Sequence, residues 1–463
     1  AYRSSLSEEQ LDAMVEKTKA LEAYQEAGED PKALECIPML KRSDIKREAA
    51  KIINEELTVD DSLFLYHDVY TNGIGYVDLM FKTDSIAPEQ IPYLGLLKSV
   101  LGYVDTENYT YGELFNEINA NTGGINCGVE VFDRADSTEE FQAMFSVRGK
   151  ALYTKMDFLF KMIGEILNSS KLEDTKRLYE IVASVKSRAQ VNLTGAGHST
   201  AVLRAAAYSS PMAAFQDEMA GIGYYQFIEK LEKDFEQRKE ETVEELCKLM
   251  KKILRPENFM ISYTGERESL ETVKKLAASV KAGLCTEPVE KSQEKLICVK
   301  KNEGFKTSGQ VQYVAQTGNF KKKGLEYTGA LEILKVILSY DYLWMNIRVK
   351  GGAYGCMSNF RKSGDSFLVS YRDPHLKNTL KIFENTPEYL HTFTADEREM
   401  TKYIIGTISD LDVPLNPYAK GELSLGAWFA GITEEELQEE RNQILTAQPE
   451  DIQALGDLVE AVL

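Results

Sequence analysis

Apolar residues recur every three or four positions over residues 7–28, where Leu11, Met14, Val15, Thr18, Leu21 and Tyr24 alternate with charges. That spacing predicts a helix with Ser7 as its N-cap ahead of Gln10. After the breaks at Pro31 and Pro38, Ser43 opens a second polar helical stretch to about residue 56. Residues 1–57 therefore read as a helical hairpin. Strand-like runs follow at 62–70 and 76–82, separated by a turn at Asn72 to Gly75. Helical patterns cover 88–103, 111–120, 151–169, 172–192, 212–227 and 228–254. A short buried-strand pattern at 258–265 and a helix at 269–282 complete this region. The polar, lysine-rich stretch 286–309, with Pro288, is the expected linker.

The pattern then repeats. Leu94, Leu97, Lys98, Leu101 and Tyr103 match Leu331, Leu334, Lys335, Leu338 and Tyr340 in the frame L-x-x-L-K-x-x-L-x-Y, at an offset of 237 residues. Each copy follows a strand (76–82, 311–316) and precedes a second helical segment. Each then reaches a glycine pair, Gly123-Gly124 or Gly351-Gly352, and a strand candidate at 125–132 or 353–360. A repeat of this length is a domain duplication, not a solenoid period. The expectation is an α+β fold: two homologous domains, 58–285 and 286–463, each a mostly antiparallel sheet with helices packed on one face.

Composition narrows the chemistry. The net charge of −19 argues against nucleic-acid and anionic-membrane surfaces. No apolar run approaches the length of a membrane span. Six scattered cysteines without a C-x-x-C pair fit reduced thiols in a cytosol-like compartment. The four histidines, His67, His198, His375 and His391, form no local zinc motif, so no metal ligand is assigned in this chain. The start at Ala1 inside a helical pattern and the apolar end at Leu463 are those expected of a segment cut from a longer protein.

The copies differ at the glycine pair. Aligned there, at an offset of 228 residues, Arg348 falls on Ala120 and Tyr354 on Asn126. An arginine can fork onto a peptide carbonyl or carboxylate, and a tyrosine hydroxyl can donate to a developing oxyanion. The alternative is a surface ion-pair arginine and a half-buried strand aromatic. Gly351 and Gly352 read first as a tight turn or bulge, since no phosphate-binding glycine motif occurs. A second distinctive segment, G-A-G-H-S-T-A-V-L-R-A-A from Gly195, contains His198 and a helix with Ser199 as its expected cap. A lone histidine before a helix is usually a capping or packing residue.

These segments together resemble the carboxy-terminal half of the presequence-protease branch of the pitrilysin/insulinase zinc metallopeptidases, whose domains have the processing-peptidase fold. The resemblance implies a peptidase whose two halves close around short unstructured peptides. In it, zinc is held by an H-x-x-E-H motif on an amino-terminal half outside these residues. By the same resemblance, residues 1–57 join the halves and the two repeats are the third and fourth domains, with the last shorter than in the family. Arg348 and Tyr354 then contact the peptide and the tetrahedral intermediate, with Gly351 and Gly352 beside the substrate. The implied partners are peptide substrates and the zinc-bearing half, without nucleic acid or membrane. The implied location is the cytoplasm or an organelle matrix, and the chain alone is expected to be inactive. A non-catalytic peptide-binding or scaffold subunit of the same fold is the alternative. The negative charge adds the expectation that the chamber favours basic peptides.

Overall fold

The computed structural model describes all residues except 1, 2, 28–30, 35 and 293, and divides the chain into two units, Ala1–Ile45 and Lys46–Leu463. In the first unit, α1 (Glu8–Glu26) has the predicted start. Ser7 Oγ accepts from the Gln10 N–H at 3.2 Å, and Gln10 Oε1 accepts from the Ser7 N–H at 2.9 Å. Met14, Val15, Leu21 and Tyr24 are exposed, so the cap and local propensity hold this helix. Its expected end at Gly28 lies outside the described residues.

The expected second arm of the hairpin is not helical. A single 3-10 turn, Arg42–Asp44, is followed by extended chain and then β1 (Glu55–Val59). The N–H groups of Ala49, Ile52 and Ile53 donate to the side chains of Gln438, Glu434 and Ser424 at 3.0, 2.9 and 3.0 Å. The Lys46 carbonyl accepts from Arg441 at 2.9 Å. Backbone groups that would close helical bonds are taken by distant side chains, and the helix loses to them.

The first sheet contains β1, β2 (Ser62–Asp68), β3 (Ile74–Lys82), β4 (Ile125–Asp133), β5 (Phe141–Leu152) and β6 (Phe259–Gly265). Their order is β1-β2-β6-β3-β5-β4, antiparallel except for the parallel pair β2–β6. β1 and β5 were not among the predicted strands. In β5, every residue from Ala143 to Val147 is buried, so the two-residue alternation that marks a half-buried strand is absent. One face of this sheet packs on α2 (Ile91–Val100), α3 (Tyr111–Asn121), α4 (Met156–Ser169), α5 (Thr175–Gly195) and their neighbours. Those neighbours are α6 (Gly197–Ala206), α7 (Pro211–Ala220), α8 (Ile222–Lys233), α9 (Phe235–Ile253) and α10 (Arg267–Ala282). The helix expected over 212–227 is divided because the Asp217 carboxylate accepts from the N–H groups of Ile222 and Gly223 at 2.9 and 3.2 Å.

The second sheet, β7 (Ala315–Asn319), β8 (Gly355–Phe360) and β9 (Asp365–Tyr371), is antiparallel in the order β7-β9-β8. It follows a stretch, 286–309, without helix or strand among its described residues. Its helices are α11 (Ala330–Ile337), α12 (Lys377–Glu384), α13 (Thr386–His391), α14 (Glu397–Leu411), α15 (Pro417–Ala430), α16 (Glu434–Thr446) and α17 (Gly456–Val462). The order strand, helical segments, glycine pair, strand, strand thus occurs twice, and β3-β5-β4 has the same spatial order as β7-β9-β8. Both sheets are mostly antiparallel, and the α+β class read from the sequence is the one observed.

Helix α15 adds a contact that the repeat does not foretell. Its Leu425 and Phe429 pack on Leu65, Met80, Met144 and Met260, on the opposite face of the first sheet. Beside them Arg148 of β5 faces three carboxylates: Asp78 at 3.0 Å, Glu130 at 2.5 Å and Glu422 of α15 at 2.7 Å. Burial pushes the Asp78 and Glu130 carboxyls above the usual carboxylate range, with Arg148 acting against it.

Candidate functional site

Helix α11 runs into two π-helical segments, Leu338–Tyr342 and Trp344–Val349, so the chain reaches the glycine pair through widened turns. Such turns recur where a helix presents functional side chains. Arg348 lies in the last of them. The Gly352 N–H donates to the Arg348 carbonyl at 2.9 Å, and the Ala353 N–H to the Ile347 carbonyl at 3.1 Å. Gly352 sits at φ +77, a left-handed conformation that costs a side-chain-bearing residue strain. A Cβ on Gly351 would come within 2.5 Å of the Ile347 carbonyl oxygen. The pair is thus required by the turn itself.

That turn points Arg348 back over its own segment. Its guanidinium lies 4.3 Å from the centre of the Trp344 ring and 5.5 Å from that of Tyr354, and Nη1 donates to the Tyr354 carbonyl oxygen. Among the described residues it makes no ion pair, so the surface salt-bridge alternative is not realised. Tyr354 is 63% exposed, its ring edge meets Tyr371 at 5.6 Å, and its hydroxyl is left for solvent or ligand. Arg348, Val349, Gly352, Ala353, Tyr354 and Arg372 line an open cavity of about 430 Å³. Gly352 reaches this cavity; Gly351 is not among its lining residues.

The glycine–histidine segment converges on the same place. A Cβ on Gly197 would come within 2.3 Å of the Tyr313 ring, so the glycine lets α6 approach that ring closely. His198 meets Tyr371 edge-on at 4.8 Å, and burial lowers its pKa, which keeps the imidazole neutral. Tyr371, touched by His198, Tyr313 and Tyr354, therefore joins the two sequence segments. The predicted Ser199 cap is not made: α6 starts at Gly197 after Ala196, without a side-chain cap. Sequence reading missed Trp344, Tyr371 and Arg372. Trp344 stands four residues before Arg348, a spacing that could have flagged a stacked pair.

The residues here do not fit a zinc site. His67 is fully buried, bonded to Ser262 at 3.0 Å, with its pKa pushed down to about 4 by burial. His198 is engaged with Tyr371, His391 faces Asp457 at 3.4 Å, and His375 is distant in sequence from both. Among the described residues no three His, Cys, Asp or Glu side chains are placed to hold a metal. The six cysteines are free, and burial pushes the Cys356 thiol up to about 12, which removes it as a nucleophile. No helix among the described residues is long and apolar enough to cross a membrane.

Two families match the chain: the associated domain of the M16 peptidases, subfamily C, over residues 1–231 and the PreP C-terminal domain over residues 302–463. Protein HypA of Clostridium perfringens is 39% identical over 100% of this chain and 47% of its own length. Presequence protease 1, chloroplastic/mitochondrial, of Arabidopsis thaliana is 30% identical over 99% of this chain and 43% of its own. The chain thus spans about half the length of these relatives. Among solved structures, a peptidase M16 inactive domain from Pseudomonas fluorescens superposes with a TM-score of 0.58 at 14% identity, covering 89% of this chain and 95% of that one. That likeness extends to the fold alone. The chain belongs to the presequence-protease-like group of the M16 peptidase family and corresponds to the C-terminal half of its members.

Proposed function

We propose that this chain is the substrate-enclosing half of a peptide-degrading metallopeptidase, and that Arg348 and Tyr354 are its contribution to peptide hydrolysis. The reading is carried by one observation. An arginine without an acidic partner is held by Trp344 and the Tyr354 carbonyl beside a free tyrosine hydroxyl at an open cavity. A surface with only a structural role has no use for an unpaired guanidinium stacked this way. Arg348 binds a carbonyl of the peptide, and the Tyr354 hydroxyl donates to the oxygen on which negative charge develops. Zinc would be ligated outside this chain and would supply the hydrolytic centre. We place the whole protein in the cytoplasm or an organelle matrix.

The experiment mixes or fuses this chain with the zinc-bearing half of the same protein and follows cleavage of an unstructured fluorogenic peptide. The chain alone should cleave nothing. The combined protein should cleave, and Arg348→Ala or Tyr354→Phe should lower kcat/KM on the order of 10²-fold, as removal of one oxyanion donor does. Unchanged kinetics in both variants would refute the assigned roles. Peptide binding without hydrolysis by the combined protein would favour the scaffold alternative.

A further inference from the structure

Arg148 and Arg372 occupy the same place in the two repeats. In the first, Asn126 of β4 pairs with Arg148 of β5. In the second, the counterpart of Asn126 is Tyr354. Its N–H donates to the carbonyls of Tyr371 and Arg372 at 3.0 and 3.4 Å, one step beyond the Gly355–Tyr371 pair of the β8–β9 ladder. The repeat therefore supplies an internal comparison for one strand-end arginine in two settings.

In the first setting the arginine is saturated, with Asp78, Glu130 and Glu422 all within 3.0 Å. In the second, the acids are gone. The position matching Glu130 is Ser358, and the neighbouring strand that supplies Asp78 in the first repeat brings Gln312, bridged to Asp373, in the second. Asp373 itself is turned inward, 1% exposed, and accepts from the His375 N–H at 2.8 Å and from Thr379 Oγ1 at 2.6 Å. Arg372 makes no ion pair among the described residues; its guanidinium lies over the Tyr371 ring at 5.4 Å. Its backbone is at φ +48, where a side chain is disfavoured and glycine or asparagine would sit more easily. A strained residue at a cavity wall points to use of its side chain rather than to folding.

We propose that Arg372 and Arg348 together form a two-guanidinium pocket that takes a carboxylate of the bound peptide, with Arg372 setting the preference. This rests on the peptide-enclosing reading and narrows it. Two arginines without acidic partners on one cavity attract an anion, and a guanidinium fork matches the two oxygens of a carboxylate. The net charge of −19 describes the whole surface; at the range of a direct contact the two local cations dominate, since more distant charges are screened. The carboxylate can be a Glu or Asp side chain or the free carboxy terminus of the peptide.

The test titrates the full 463-residue chain with rhodamine-labelled peptides of one neutral scaffold and reads fluorescence anisotropy. Four versions separate the sources: free or amidated carboxy terminus without acids, and amidated terminus with an internal Glu or with Gln in its place. One or both carboxylate-bearing versions should bind roughly 10-fold tighter than their neutral counterparts, the range of a charge-assisted hydrogen bond. Arg372→Ala should erase that difference while leaving the neutral peptides unchanged, and Arg372→Lys should keep part of it. Arg372→Gly suits the backbone and serves as the folded control, with thermal melting followed for every variant. Equal or undetectable binding of all four peptides, or a preference that survives Arg372→Ala, overturns the proposal. Because the readout is binding, it stands apart from the hydrolysis assay: cleavage insensitive to Arg348→Ala would sink the catalytic reading and leave this result intact.

Discussion

Replacing Asp78 by Asn tests whether the acid cluster under α15 costs stability as pH rises. The side chains of Asp78, Glu130 and Glu422 are 3%, 19% and 28% exposed and share one cation, Arg148. Burial is the largest influence on Asp78 and raises its pKa; Arg148 lowers it without cancelling the effect. A raised folded-state pKa means that the folded protein holds this proton more tightly than the unfolded chain. Its contribution is therefore complete below the unfolded carboxyl value of about 3.9 and is lost as pH rises through the folded value. For one proton the slope is at most about 1.4 kcal/mol per pH unit across that window.

Asparagine keeps the shape and removes the ionisation, so the stability of Asp78→Asn relative to the native sequence should grow steadily with pH over the same window. Urea midpoints read by circular dichroism between about pH 4.5 and 8 measure it. The complementary change, Arg148→Met, leaves the acids uncompensated. It should cost about 3–5 kcal/mol near neutral pH, with part of the loss recovered in acid as the carboxyls protonate. If Asp78→Asn runs parallel to the native protein, or falls behind it as pH rises, the account of this cluster is wrong.

Gly197→Ala should lower stability by about 1–3 kcal/mol, since the new methyl meets the Tyr313 ring at 2.3 Å. Gly195→Ala, with nothing within 4 Å, is its neutral control; equal melting temperatures for the two would count against the close packing of α6. Cys356, buried and with its thiol pushed up to about 12, should resist iodoacetamide in the native protein while exposed Cys36 reacts. Peptide mass spectrometry reads the order, and early labelling of Cys356 would contradict the burial.

The capping box at Ser7, the repeat and the contrast at Arg348 and Tyr354 were legible because each rests on local spacing. Ser7 and Gln10 bond within one turn, and the glycine pair is required by a turn whose partners lie four or five residues away. The second hairpin arm misled for a reason invisible in the pattern. The N–H groups of Ala49, Ile52 and Ile53 find their acceptors more than 370 residues further along. β5 hid because coverage of both its faces erases alternation, and the covering helix, α15, belongs to the other repeat.

By itself the sequence determined the α+β class, the duplicated order of elements, the family and the pair of side chains that distinguishes one repeat from the other. All of these follow from periodicity and short-range chemistry, which survive in one dimension. Only the tertiary structure decided which charges are compensated. Arg148 and Arg372 are alike as letters and equivalent in the repeat, yet one is surrounded by carboxylates from β3, β4 and α15 and the other faces an open cavity. Electrostatic fate depends on neighbours brought from distant parts of the chain, and so does the meeting of His198, Tyr371 and Tyr354 beside Arg348.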